Sequence, residues 1–484
     1  MVLTGNNLHI DVRSEIGRLR CLLIHSPDSG IGKVVPSKAQ DWLFEDIIHL
    51  DSVRKNEYDL YVKLLMYFLD PERINGRLDE ISSPEHKRNF FKPDNAGFHA
   101  SAKVIEMQTL LSDILEDNNI REKLVASVCA MENCTYSLQE TLINTEPVEL
   151  AKILISGSMD DHDLIFAPIP NFIFSRDVGI AIKDHLLISK PAKPARARET
   201  LLMRYVFFNH PLFKAYRNNI IEIPDTPQHF LKPGEGNEER TTLEGGDIMM
   251  ISEEHVLIGV SERTSVAGAN AIIRTLFDKK LVKKATVIKI PTKRDFMHID
   301  TIFTQVKRNV WVLLGSLSMP QFDPETATTG NYFSQQKPSK TVEIVQFNID
   351  KGYQPKRFVN LEALLDDISR NEFKSEEPTR FIYSGDKEFP YDAREQWTDS
   401  CNLLALQEGV VIGYDRNDKT AAAFEKNGFK TISVADLLLQ IEQGETDPQS
   451  MKDTLILMPS AELSRARGGF HCMSMPLCRE TIDK

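Results

Sequence analysis

The 484-residue chain lacks most of the features that would direct it to a membrane, to secretion or to a nucleic acid. No stretch approaches the ~18 or more consecutive apolar residues that a membrane span requires. The opening segment, MVLTGNNLHIDVRSEIG, has neither the basic region nor the apolar core of a secretory signal, so a cytoplasmic protein is expected. Positive charge is not in excess: the formal net charge is −12, with both signs interspersed. A polyanion such as nucleic acid needs a basic surface and is excluded as the main partner, whereas a small cation would be mildly attracted. Cysteine is scarce and scattered, at Cys21, Cys129, Cys134, Cys401, Cys472 and Cys478. No CxxC pair occurs, which speaks against a zinc site or a disulfide framework and leaves reduced thiols, one of which could be a nucleophile. There is no P-loop, dinucleotide fingerprint or zinc-protease signature either, so no metal and no cofactor are expected.

What remains is a globular composition, 41% apolar and 26% charged, able to bury a large core. Leu19 to His25 (LRCLLIH) reads as a buried strand before the turn Ser26-Pro27-Asp28. Trp42 to Asp70 reads as helical, with Tyr58, Tyr61, Leu64, Leu65 and Phe68 at helix spacing. Residues 86–162 are rich in helix formers and read as an inserted helical subdomain. From residue 163 onward, strands alternate with helices: VGIAIK with HLLIS, DIMMI with HVLIG, ATVIKI, NVWVLLG, VVIGY and DTLILM are strand candidates. Helices are expected near Arg198 to Phe208, Ala267 to Leu281 and Lys419 to Asn427. The recurring ββα unit points to an α/β fold closed by internal quasi-repeats. Residues 320–395, with Thr326 to Asn331 and Pro338, Pro355, Pro378 and Pro390, read as long loops or a lid.

Four polar clusters interrupt the apolar framework. The first is Pro168 to Asp177 (PIPNFIFSRD), rigid before Asn171 because two prolines fix φ; its Arg176-Asp177 pair could be a local salt bridge. The second is Leu243-Glu244-Gly245-Gly246-Asp247, whose glycines allow a tight bend or a close backbone approach; an acidic turn is the plainer alternative. In the third, MHIDTIF, an extended backbone would point His298 and Asp300 to one side, for catalysis or for a solvent-facing edge. The fourth runs from Arg467 through Gly468-Gly469-Phe470-His471 to Cys472 and Pro476. Such a loop could hold a partly exposed thiol in electropositive surroundings that favour a thiolate, with Cys478 as a rival and a buried, inert thiol as the commoner fate.

In that order the clusters resemble the motifs of arginine deiminases, within the wider guanidine-modifying superfamily. SEIGRLRCLLIHSPD, LFEDI, PARARETLL, LIGVSERTS, GVVIGYDRN and CMSMPLCRE extend the resemblance over nearly the whole chain, with residues 320–395 weakest. It implies a fivefold pseudosymmetric α/β propeller of ββαβ units, formed by residues 1–85 and 163–484, with 86–162 inserted as a helical module. It also implies that Cys472, His298, Glu244, Asp177 and Asp300 gather round one pocket as catalytic residues. Asn171, Arg196 and Arg263 would then meet the amino-acid end of the substrate, with Arg467 near the nucleophile. The implied reaction is hydrolysis of free L-arginine to citrulline and ammonia through a covalent thiouronium on Cys472, in a homo-oligomer. An arginine dihydrolase or amidinotransferase of the same superfamily, or a non-enzymatic arginine-binding protein, are the alternatives. A binder would need neither Cys472 nor His298. The family commonly has Thr where this chain has Ser175, which keeps the hydroxyl.

Overall fold

A computed structural model describes residues 8–482 apart from 45, 84, 86, 87, 161, 162, 225–239, 318–341 and 353. The short apolar runs become strands. β1 (Leu19–Ile24) has β2 (Val104–Glu106) parallel to it. β3 (Gly179–Ile182) and β4 (His185–Ile188) form an antiparallel pair, and the helix Ala197–Asn209 leads to β5 (Ile220–Ile221), parallel to β4. β6 (Ile248–Ser252) and β7 (His255–Val260) repeat the pair, and the helix Val266–Asp278 leads to β8 (Lys284–Lys289), parallel to β7. β9 (Phe303–Lys307) and β10 (Val310–Leu313) form the next pair. β11 (Glu343–Asn348) and β12 (Lys356–Phe358) extend the preceding sheet beyond β8, and β13 (Arg380–Tyr383) joins β10 in parallel. β14 (Leu404–Gln407) pairs antiparallel with β15 (Val410–Tyr414). β16 (Lys430–Ser433) follows the helix Asp418–Lys426, and β17 (Thr454–Met458) runs parallel to both β15 and β16. β18 (Met475–Arg479) returns antiparallel to β1.

Among the described residues these strands make five separate sheets, so the fold is a mixed α/β one. Every sheet contains an antiparallel pair beside a parallel third strand, and a parallel neighbour demands a crossover connection of the kind the helices provide. β1 is buried on both faces. Leu22 and Ile24 face one apolar cluster with Leu64, Phe68 and Ile412, while Cys21 and Leu23 face another with Leu110, Leu154 and Phe207. That split follows the two-residue alternation of a strand. Because β18 pairs with β1, the segment just before β18, which carries Cys472, is anchored to that buried strand.

Three segments differ from their sequence-based reading. The helix expected from Trp42 starts only at Leu50, where the His49 side chain accepts from Ser52 N–H, and then runs with a π-helical stretch through to Leu69. Leu43, at φ 58°, breaks any earlier start. Within 86–162 the helices Met107–Leu115, Asn118–Glu132, Tyr136–Ile143 and Pro147–Ser156 are present, but Val104–Glu106 is a strand. Its backbone pairs with β1, and Glu106 then caps the next helix by accepting from Gln108 N–H. The loop reading of 320–395 does not hold from Glu343 onward. β11, β12, the helix Leu361–Asp367 and β13 complete two of the sheets there, burying Leu361, Leu364 and Ile382. Thr326 to Asn331 and Pro338 lie outside the described residues.

Candidate active site

The loop before β18 is held from several sides. Phe470, fully buried, packs against Tyr61 and Tyr414 with ring centroids at 5.0 and 4.8 Å. Such aromatic contacts each contribute about 0.5–1.5 kcal/mol beyond area burial. A Cβ on Gly468 would stand 2.2 Å from the Phe174 ring, and one on Gly469 would stand 2.5 Å from Asn402 O, so only glycine fits at either position. Cys472 N–H donates to Asn402 Oδ1 at 3.0 Å, and Arg176 N–H donates to Cys472 O at 3.1 Å. Arg467 has φ 62° and lies over the Trp397 ring at 3.4 Å.

The MHIDTIF segment is not the strand expected. His298 is extended, but Ile299–Thr301 form a 3-10 turn, because Ile299 N–H is drawn to Asp247 Oδ1 at 3.0 Å and Ile302 N–H closes on Ile299 O. His298 and Asp300 still reach one site from this turn. His298 Nε2 meets Glu244 Oε2 at 3.0 Å, and Asp300 Oδ2 lies 3.5 Å from Cys472 Sγ and 2.8 Å from His471 Nδ1. The glycines of the second cluster serve close approach. A Cβ on Gly245 would lie 2.0 Å from Arg176 O, and one on Gly246 would lie 2.6 Å from His298 Nδ1. Arg176 and Asp177 do not pair with each other. Arg176 donates to Glu15 at 2.7 Å, and Asp177 accepts from Arg196 at 2.6 Å. Two consecutive residues of a 3-10 turn point apart, and each meets a partner distant in sequence.

A cleft of about 30 Å³ remains between these groups. It has room for water. Asn171, Asp177, Arg196, Arg263, His298, Arg467 and Cys472 line it, along with Leu43, Phe174, Met297 and Ala466. Glu244 and Asp300 sit behind that lining, fully buried against His298 and Cys472. Asn171 donates to Trp42 O at 2.9 Å and accepts from Arg196 through its own carbonyl at 3.3 Å. Arg196 also binds Glu199 at 2.7 Å, and Arg263 lies 3.8 Å from Glu244. Asp177 Oδ1 and Asp300 Oδ1 are buried and accept no hydrogen bond.

The charges are strongly coupled. Burial works against a charged His298, but Asp177, Glu244 and Asp247 outweigh it and lift the imidazole to about 10. Burial likewise opposes a charged Glu244, yet the hydrogen bond from His298 and the nearby Arg263 and Arg196 bring it to about 2. Cys472 is 5% exposed. Burial, then Asp300, Asp177 and Asp399, push its thiol well above the ordinary value. The partly exposed, electropositive setting expected from the sequence is therefore corrected: the sulfur is buried, carboxylates face it, and both disfavour a thiolate.

A family model described as arginine deiminase matches residues 100–479. The chain belongs to the arginine deiminase family. An arginine deiminase of Borrelia recurrentis (strain A1) is 29% identical over 497 residues, covering 98% of each chain. One from Bacillus cereus (strain ATCC 10987 / NRS 248) is 29% identical over 483 residues, covering 98% of this chain and 99% of its own. Among solved structures, an amidinotransferase from Microseira wollei aligns over 98% of both chains at a TM-score of 0.41 and 13% identity.

For this member of the family, sequence reasoning missed several groups that shape the site. Glu199 lies three residues beyond Arg196 in PARARETLL, a helical spacing that predicts the pair. Asp247, in the quoted LEGGD cluster, holds the turn at Ile299. Glu15 accepts from His471 at 3.1 Å, extending the chain of contacts behind Asp300, and it lies in SEIGRLR without any local signal. Asn402, Trp397 and Asp399 lie just beyond the segment 320–395 that reads as loops, in a stretch without a motif. Asp177, Glu244 and His298 also present ligand atoms within 4.8 Å of one another, a grouping that suits a metal ion. Arg196 and Arg263 already bring cations to these carboxylates, and an imidazole lifted to about 10 is protonated and offers no lone pair. Among the described residues, no helix is long and apolar enough to cross a membrane.

Proposed function

We propose that this chain is a cytoplasmic arginine deiminase that hydrolyses free L-arginine to L-citrulline and ammonia, with Cys472 as nucleophile. The observation that carries this reading is the pair of buried carboxylate oxygens that accept no hydrogen bond, Asp177 Oδ1 and Asp300 Oδ1. A buried acceptor without a donor is costly. A planar, permanently charged guanidinium offers a fork of donors to each carboxylate and would present its carbon to the sulfur between them. Arg196 supplies a guanidinium to Asp177 at 2.6 Å. The substrate would replace it there, like for like, and Arg196 would turn with Arg263 and Asn171 to the α-carboxylate, selecting free arginine over agmatine. Arg467 closes the same side next to the nucleophile loop.

The substrate cation favours the Cys472 thiolate, offsetting the burial and the carboxylates that disfavour it. The thiolate forms an S–C bond to the guanidinium carbon. His298, protonated, gives its proton to the departing nitrogen, the C–N bond breaks and ammonia leaves an S-alkylthiouronium. Neutral His298 then takes a proton from water as its oxygen bonds to the carbon. The C–S bond breaks as the Cys472 thiolate leaves, the remaining hydroxyl proton passes to the released ammonia, and citrulline departs. Glu244 keeps His298 oriented and stabilises its charge. The five sheets among the described residues, each containing an antiparallel pair beside a parallel strand, support a fivefold propeller of ββαβ units made by residues 1–85 and 163–484 together with β2, with the helices from Met107 to Ser156 as the inserted module. Incubation with L-arginine alone tests the activity: citrulline with one equivalent of ammonia is expected, and ornithine without citrulline would reject it in favour of a dihydrolase. Arginine binding without any product would indicate a sensor.

A further inference from the structure

Two of the six cysteines meet at the end of one helix. The helix Asn118–Glu132 stops at Asn133, whose backbone is left-handed at φ 56° and ψ 41°. Cys134 N–H then donates to Cys129 O at 2.9 Å, as does Asn133 N–H to the same carbonyl. This six-to-one bond defines a helix cap whose first and sixth residues pack their side chains together. Here both are cysteines, and Cys134 packs against the apolar cluster that contains Cys129. Neither is in a disulfide. Cys129 is 3% exposed, Cys134 is partly exposed, and their neighbours Met131 and Tyr136 are 41% and 73% exposed, so the pair lies at the surface.

We propose that Cys129 and Cys134 are a dithiol modification site, closed to an intrachain disulfide by hydrogen peroxide. The cap already provides the approach of backbones that a disulfide between near neighbours needs. Cys134 sulfur attacks a peroxide oxygen: the S–O bond forms, the O–O bond breaks, and the departing hydroxide leaves as water with the thiol proton. Cys129 sulfur then attacks Cys134 sulfur: the S–S bond forms, the S–O bond breaks, and a second water leaves with the Cys129 proton. Two electrons pass from the sulfurs to the peroxide. Burial and the adjacent Cys134 push the Cys129 thiol up to about 12, so it serves as the resolving rather than the first-reacting group.

The test uses reduced full-length protein treated with peroxide, alkylated and digested with trypsin. Cleavage after Lys123 and Lys152 leaves both cysteines on one peptide. That peptide should lose two hydrogen atoms, resist alkylation at both sulfurs and regain two alkylation sites after treatment with dithiothreitol. In Cys129→Ser, Cys134 should be trapped by dimedone as a sulfenic acid; in Cys134→Ser, Cys129 should stay alkylable. The proposal is overturned if both wild-type thiols stay alkylable, or if dimedone captures Cys134 in the wild-type protein without disulfide formation. It is equally overturned if the only disulfide found joins Cys21 and Cys478, which face each other across β1 and β18.

Discussion

Replacing Asp300 with asparagine should make the Cys472 thiol more reactive while reducing turnover. Asp300 Oδ2 lies 3.5 Å from Cys472 Sγ, and both groups are buried. Two like charges about 4 Å apart interact by roughly 4 kcal/mol at an effective dielectric near 20, a ceiling for what a thiolate in this position suffers from Asp300. Recovering even a third of that, about 1.4 kcal/mol, increases the thiolate fraction tenfold. Alkylation of Cys472 by iodoacetamide in the substrate-free protein, followed by peptide mass across a range of pH, reads this directly. Asp300→Asn should be alkylated at least ten times faster than wild type at pH 7. The same substitution removes a charged acceptor for the substrate guanidinium, worth about 1.5–3 kcal/mol, so kcat/KM should fall by at least tenfold. Unchanged or slower alkylation would refute the claim that carboxylates help to hold this sulfur protonated.

Glu244→Gln should lower the upper pH edge of activity. His298 works as an acid in its protonated form, so activity is present below its value of about 10 and lost as pH rises through it. Losing a charge-assisted hydrogen bond of about 1.5–3 kcal/mol moves that edge down by about one to two units in a pH profile of citrulline release; an unmoved edge would count against the pairing. Gly246→Ala would push a methyl group to 2.6 Å from His298 Nδ1, so kcat should drop about a hundredfold while the circular dichroism spectrum stays native. Arg196→Lys should raise KM for L-arginine about tenfold or more and leave agmatine, which has no carboxylate, unaffected. An equal change for both substrates would remove Arg196 from the carboxylate end.

The strands of this fold were legible because they are short apolar runs bounded by turns, and VGIAIK, HVLIG, VVIGY and DTLILM all occur where their patterns put them. Pattern alone misjudged segments whose structure depends on distant partners. Val104–Glu106 is a strand only because β1 lies beside it, and residues 343–383 have weak periodicity but fill the edges of two sheets. The nine anticipated site residues do converge, through resemblance more than spacing, since i and i+2 alternation in MHIDTIF assumed an extended chain that Asp247 folds into a turn. Glu15 and Asn402 carry no local signature at all. They matter through contacts to His471 and Cys472 made across hundreds of residues or tens of them.

The most direct measurement is the mass of the Cys472 peptide after acid quenching of a short reaction with L-arginine. Covalent catalysis predicts an adduct on that peptide weighing arginine less ammonia, absent from Cys472→Ala, which should bind arginine but release no citrulline. An adduct on another cysteine, or citrulline formed by Cys472→Ala, would contradict the account.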